Sequence, residues 1–146
     1  MIGRSALAGA AFVLLGASSA FAGSPMAFWM FQKACPEGSQ SQCALQFTFG
    51  NGNKATTDQW EFKKHSHQLA VTVQKGDDNI AFTGQVGTKS WSNQGSLTIQ
   101  EGDNNHAFTY QDGGNNYSKT VQDGNGTWAA SSSIGVGTYT NVTVSN

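Results

Sequence analysis

The chain has 146 residues, 18 of them Gly and only 2 Pro, and 12% are charged; counting along it adds 12 Gln and 11 Asn. That length holds one domain, and a single arginine, Arg4, leaves no basic footprint for nucleic-acid phosphate. Both prolines, Pro25 and Pro36, precede a long proline-free stretch, which favours extensive β pairing over the disorder that bulk polarity alone would allow.

Residues 1–22 read as a secretory signal peptide. Arg4 is its positive end, Ala6 to Gly16 its short apolar core, and Ala20-Phe21-Ala22 the small-x-small site, with cleavage after Ala22. The apolar run is too short to span a bilayer. Without this segment, seven Lys stand against nine Asp and Glu, a mildly acidic chain.

Residues 23–43 form an N-terminal segment. Its apolar patch, Met26 to Gln32, offers Phe28, Trp29 and Phe31 for docking to an export pore or the outer membrane; a strand capping the first coil is the plainer alternative. Cys35 and Cys43 stand eight apart beside Pro36 and Gly38. In an oxidising compartment a disulfide closing that loop is expected. Zinc would need two further ligands, and a catalytic thiol a His partner. His65-Ser66-His67 puts two imidazoles on one strand face, half of a transition-metal site without a third ligand.

From residue 44 the sequence repeats. Gln100, Gln111 and Gln122 are eleven apart, each followed two residues on by Gly102, Gly113 or Gly124 and five on by Asn105, Asn116 or Thr127. Gln74, Gly76, Asn79, Ala81 and Gln85 carry the same spacing upstream, as do Thr48, Gly50, Asn53, Ala55 and Gln59; Ser133, Gly135, Thr138 and Thr140 continue it. Two steps, Gln59 to Gln74 and Gln85 to Gln100, are fifteen residues long, so four residues are inserted at equivalent places.

The unit Asn-x-Ala-x-Thr-x-Gln-x-Gly is a strand with small polar residues on one face, followed by a turn. Gly50, Gly76, Gly87, Gly102, Gly113, Gly124 and Gly135 are the turn glycines, placed where a tight turn needs positive φ. Eleven residues make half a coil and 22 a rung. Residues 44–146 are therefore predicted to form an all-β β-solenoid of about four coils, roughly 20 Å tall at about 4.8 Å per rung.

Stacking puts like over like, so Gln above Gln and Asn above Asn predicts cross-β-like amide ladders. The ladder residues are Gln74, Asn79, Gln85, Gln100, Asn105, Gln111, Asn116 and Gln122. The other face is mixed, with Leu69, Val71, Phe82, Phe108 and Tyr110 beside Asp58, His106 and Lys119. Hydrophobicity alone would turn that face inward. Its charges, and the uniformity of the polar face, favour the amides inside. The acidic turns, such as Asp77-Asp78 and Asp103, lack the nine-residue period of calcium-binding solenoids and read as turn formers.

Gln74-x-Gly76-x-x-Asn79-x-Ala81-x-x-x-Gln85 and Gln100-x-Gly102-x-x-Asn105-x-Ala107-x-x-x-Gln111 resemble the curlin repeat of curli subunits, which form bacterial extracellular amyloid fibres. The resemblance covers about residues 44–146. It implies a β-solenoid with inward Gln and Asn ladders, export through a curli-type outer-membrane pore, and polymerisation at the cell surface. Gln68 and Gln94 stand where the family has Ser, the insertions break the even spacing, and the last copies lose Gln. Two sub-readings stay open: an ordinary curli or nucleator subunit, and a relative of the curlin-like holdfast-attachment proteins that anchor a polysaccharide adhesin.

The expected function is thus a secreted structural subunit. It adds copies of itself by templated strand addition, with ladders continuing across the joint, and serves adhesion. Expected partners are the chain itself, the secretion pore, another fibre or adhesin subunit and surface polysaccharide; nucleic acid is not among them. No cofactor is expected. No enzyme is expected either: Glu37, Glu61 and Glu101 show no acid/base pairing, and no nucleophile elbow is present. The rival from another class is a monomeric carbohydrate-binding solenoid with Phe108, Tyr110, Tyr117, Trp128 and Tyr139 as its stacking face.

Overall fold

The computed structural model describes residues 41–62 and 66–146. Ala22, Phe28, Trp29, Phe31, Cys35 and His65 lie outside the described residues. The described chain is all β, without a helix: β1 (Ser41–Phe49), β2 (Lys54–Glu61), β3 (His67–Lys75), β4 (Ile80–Gly87), β5 (Asn93–Glu101), β6 (His106–Gly114), β7 (Tyr117–Asp123), β8 (Trp128–Val136) and β9 (Tyr139–Ser145). Odd strands form a five-stranded sheet in the order β1-β3-β5-β7-β9, and even strands a four-stranded sheet, β2-β4-β6-β8. Every pairing is parallel, so the chain winds from one sheet to the other and climbs one rung per turn. This is a β-solenoid of about four coils.

The two sheets face each other through the small polar residues. Ala70, Thr72 and Gln74 on β3, Ala81, Thr83 and Gln85 on β4, and Ser96, Thr98 and Gln100 on β5 are all buried. Phe108, Trp128, Ile134 and Tyr139 on the opposite strand faces are exposed. Polarity is therefore inverted relative to an ordinary core. Burying amides is tolerable here because each stacked rung supplies hydrogen-bond partners at fixed spacing.

The register is 26 residues between the first rungs, as from Gln68 to Gln94, and 22 between the last, as from Gln100 to Gln122. Both insertions fall at one corner, where the chain passes from the four-stranded to the five-stranded sheet. The longer corners widen the early rungs. Glu61 closes the first of them by accepting hydrogen bonds from the Ser66 backbone N–H at 3.0 Å and from the Ser66 hydroxyl.

The turn glycines Gly50, Gly76, Gly102, Gly113, Gly124 and Gly135 have positive φ, but Gly87 does not. The insertion moves that turn onward to Trp91, φ 60°, and leaves Gly87 as the buried last residue of β4. What Gly87 provides is space: a Cβ there would stand 3.1 Å from the Ser66 hydroxyl and 3.2 Å from the Gln68 amide nitrogen. Two other glycines sit beneath aromatic rings. Gly84 lies against Phe82 and Tyr110, and Gly95 under Tyr117, so the rings shield backbone that has no side chain of its own.

Candidate functional site

Three columns of glutamine run up the interior, and each is a chain of amide-to-amide hydrogen bonds. On the four-stranded sheet, Gln59 Nε2 donates to Gln85 Oε1 and Gln85 Nε2 to Gln111 Oε1, both at 2.7 Å. On the five-stranded sheet, Gln74 donates to Gln100 and Gln100 to Gln122, both at 2.8 Å. The third column is Gln42 to Gln68 at 3.2 Å and Gln68 to Gln94 at 2.8 Å. Each glutamine that donates along a column also donates to a backbone carbonyl, as Gln100 does to Ile80 O at 3.1 Å and Gln85 to Leu69 O at 3.2 Å. The ladders thus tie strand to strand within a sheet and one sheet to the other.

The third column was not expected from the repeat, where Gln68 and Gln94 read only as departures. Its signal was present, since Gln42, Gln68 and Gln94 share the same 26-residue offset. A long side chain fits there because the inserted corners leave a wide rung to fill. Where the corner tightens, Asn116 takes the slot: Gly95 pairs with Tyr117, which sets Gln94 beside Asn116.

Asn116 therefore does not stack on Asn79 and Asn105. The repeat visits the two corners alternately, so Asn53, Asn79, Asn105 and Thr127 share one corner and Asn116 lies at the other with Thr138. Nor is the asparagine column an amide-to-amide ladder. Asn79 Oδ1 accepts from the Asn105 backbone N–H at 3.0 Å, while Asn79 Nδ2 donates to Gly102 O at 2.8 Å. The shorter side chain reaches the adjacent main chain rather than its counterpart. Here asparagine pins a corner, as in an Asx turn.

The acidic turn residues do similar work. Asp77 Oδ1 accepts from the Asn51 N–H at 2.7 Å, Asp103 Oδ1 from the Asp77 N–H at 2.8 Å, and Asn125 Oδ1 from the Asp103 N–H at 2.7 Å. Each of these side-chain oxygens, two from carboxylates and one from the Asn125 amide, satisfies a turn donor of the rung below it.

The two ends of the stack differ. At the N-terminal end the inward residues Gln42, Ala44, Gln46 and Thr48 of β1 are exposed, whereas their partners Gln68, Ala70, Thr72 and Gln74 on β3 are buried. At the C-terminal end β8 and β9 keep strand geometry, but Ser133 pairs with Gln111 and Val144 with Gln122. The ladders stop inside the subunit. The expectation that they run unbroken through a joint between copies fails at this end, because hydroxyl and isopropyl groups stand where amides would be needed.

Outside, rings stack rung on rung: Phe82 on Phe108 at 5.3 Å, His106 on Trp128 at 4.7 Å and Tyr117 on Tyr139 at 5.3 Å. The first two pairs border an apolar depression of about 390 Å³ on the four-stranded sheet. Phe108, Tyr110 and Trp128 belong to that sheet, while Tyr117 and Tyr139 lie on the other one. The five aromatic residues therefore do not make one stacking face. Burial raises the Tyr117 phenol above its ordinary value of 10.0, and the neighbouring Tyr139 adds to the shift.

Cys43 lies on β1 and is disulfide-bonded. His67 is exposed on β3. No family model matches the chain, and no curated protein matches it either.

Proposed function

We propose that this chain is a secreted, curlin-like structural subunit that assembles end to end into an amyloid-type polymer at the cell surface and serves adhesion and biofilm attachment. Anchoring of a holdfast polysaccharide at the outer membrane is the specialised form of that role, and a curli-type pore is the export route. One observation carries the reading: the inward side chains of β1 are exposed at an open edge, in the same register that buries their counterparts one rung up. A parallel strand laid on that edge repeats a pairing the molecule already makes. Exposed apolar rings along the outside add surface for lateral contact or for a partner.

The test is direct. The purified chain should convert with time and concentration into detergent-resistant multimers that give cross-β diffraction. A chain that sediments as a monomer at every concentration overturns the proposal. The apolar depression on the four-stranded sheet favours a second reading, carbohydrate binding by Phe108 and Trp128, which line it. It requires a stable monomer whose sedimentation shifts on adding polysaccharide.

A further inference from the structure

Every amide-to-amide bond in the three glutamine columns points the same way. Nε2 on the rung nearer the N-terminus donates to Oε1 on the rung above, in Gln42 to Gln68 to Gln94, Gln59 to Gln85 to Gln111, and Gln74 to Gln100 to Gln122. A column with a direction has two different ends.

At the lower end the acceptors are unspent. Gln42 and Gln59 open their columns, and among the described residues nothing donates to their Oε1 atoms. Gln74 Oε1 is buried without a partner, because Thr48 stands below it in the register and cannot supply an amide. At the upper end the donors of Gln122 and Gln94 are used up, and Gln111 Nε2 donates to Gly95 O at 2.9 Å. Gln122 Nε2 donates to His106 O at 3.0 Å and Thr127 O at 2.9 Å, and Gln94 Nε2 to Val86 O at 3.0 Å. Above Gln122 comes Val144, above Gln94 comes Asn116, and above Gln111 comes Ser133, whose hydroxyl is already engaged with Thr140 at 2.6 Å.

A second copy laid with its β8–β9 end on β1–β2 therefore offers poor partners. Whichever of its sheets meets which, the aligned triplets put Ser133 or Val144 opposite Gln59, and neither carries an amide N–H. Backbone pairing remains, but each ladder breaks at the joint.

We propose that the β1–β2 end is an acceptor face for a different chain, a β-solenoid subunit whose last rung carries glutamine in the ladder columns, and that the β8–β9 end of this chain is a stop. The proposal rests on the end-to-end assembly reading and names the partner it needs. A glutamine amide in parallel register satisfies the open Oε1 groups, whereas an ionised carboxylate or an aliphatic side chain has no proton to donate and a serine hydroxyl, as at Ser133, is too short for the slot and already engaged. Self-addition then proceeds on backbone pairing alone and more slowly than addition to such a partner.

The probe is this chain with its stop removed, the Ser133→Gln, Val144→Gln double variant, grown into seeds. Labelled wild-type chain is added to these seeds and, in parallel, to wild-type seeds. Repaired seeds should recruit on the order of tenfold more labelled chain into detergent-resistant multimers, the scale of one or two added buried hydrogen bonds. That gain should vanish for a labelled Gln59→Met chain, with circular dichroism confirming that it remains β-rich, and should persist for Gln42→Met, which lies in a column the repair does not touch. Equal recruitment by both kinds of seed overturns the acceptor-and-stop assignment. Recruitment only of a chain lacking residues 23–40 shows that its own N-terminal segment fills the face, and also overturns it. If no chain forms multimers and no seeds grow, the assembly reading itself falls, a result distinct from either of the others.

Discussion

Gln100→Met and Gln74→Met replace side chains of nearly equal size in one column, yet the geometry predicts unequal costs. Gln100 accepts from Gln74 and donates to Gln122 Oε1 and Ile80 O. A methionine there orphans the buried Gln122 oxygen and relieves nothing, since Gln74 Nε2 keeps Lys54 O at 3.2 Å and Asn79 O at 3.0 Å. An orphaned buried acceptor costs about 1–3 kcal/mol. Gln74→Met also orphans one acceptor, Gln100 Oε1, but removes Gln74 Oε1, which is already buried and unpartnered. The two effects nearly cancel, leaving a net cost of about 0–1 kcal/mol. Gln100→Met should thus be the less stable of the pair by about 1–3 kcal/mol, roughly 1 M in urea midpoint for a chain of this size. Urea unfolding of dilute, unpolymerised protein measures it. Equal midpoints for the two variants would refute the claim that column direction carries energy.

Gly102→Ala should cost several kcal/mol in the same assay, because φ is 100° and a Cβ would run into the Gly124 carbonyl oxygen. Gly126→Ala, at φ 67° with open space around it, should cost only about 1 kcal/mol. Thr83→Val should be neutral or stabilising, since the Thr83 hydroxyl is buried without a partner, while Thr109→Val should lose about 1 kcal/mol through its 3.3 Å contact with Thr120. Because the folded state raises the Tyr117 phenol, the unfolded chain loses that proton first as pH climbs past 10.0. Stability should fall from there up to the folded value, and Tyr117→Phe should remove part of the fall, with phenolate absorbance reporting the titration.

The eleven-residue period made the solenoid legible because each slot has its own chemistry: Gln for reach, Thr and Ala for small volume, Gly for positive φ. Its charge pattern placed the amides inside, since Lys119 and Asp58 had to face water. What the period hid was the alternation of corners. Consecutive copies belong to opposite sheets, so vertical neighbours are two copies apart, and Asn116 sits over a glutamine slot rather than an asparagine one. Gly87 fits the spacing of a turn glycine, but the inserted residues carry the turn past it to Trp91. Hydrogen-bond direction within a column is invisible in one dimension, because every Gln letter contains both a donor and an acceptor.

The register of 22 or 26 residues has a mechanical meaning. Each rung touches only the one below and the one above, so cohesion is a sum of nearest-neighbour terms, as in a one-dimensional lattice. An interior rung has two such neighbours and a terminal rung one. A stack of this kind frays inward from its tips, its lifetime grows with its length, and a pull along the axis loads every joint in series. Under such a pull a contact without amide-to-amide bonds, such as Ser133 on Gln111 or Val144 on Gln122, parts before those that carry them.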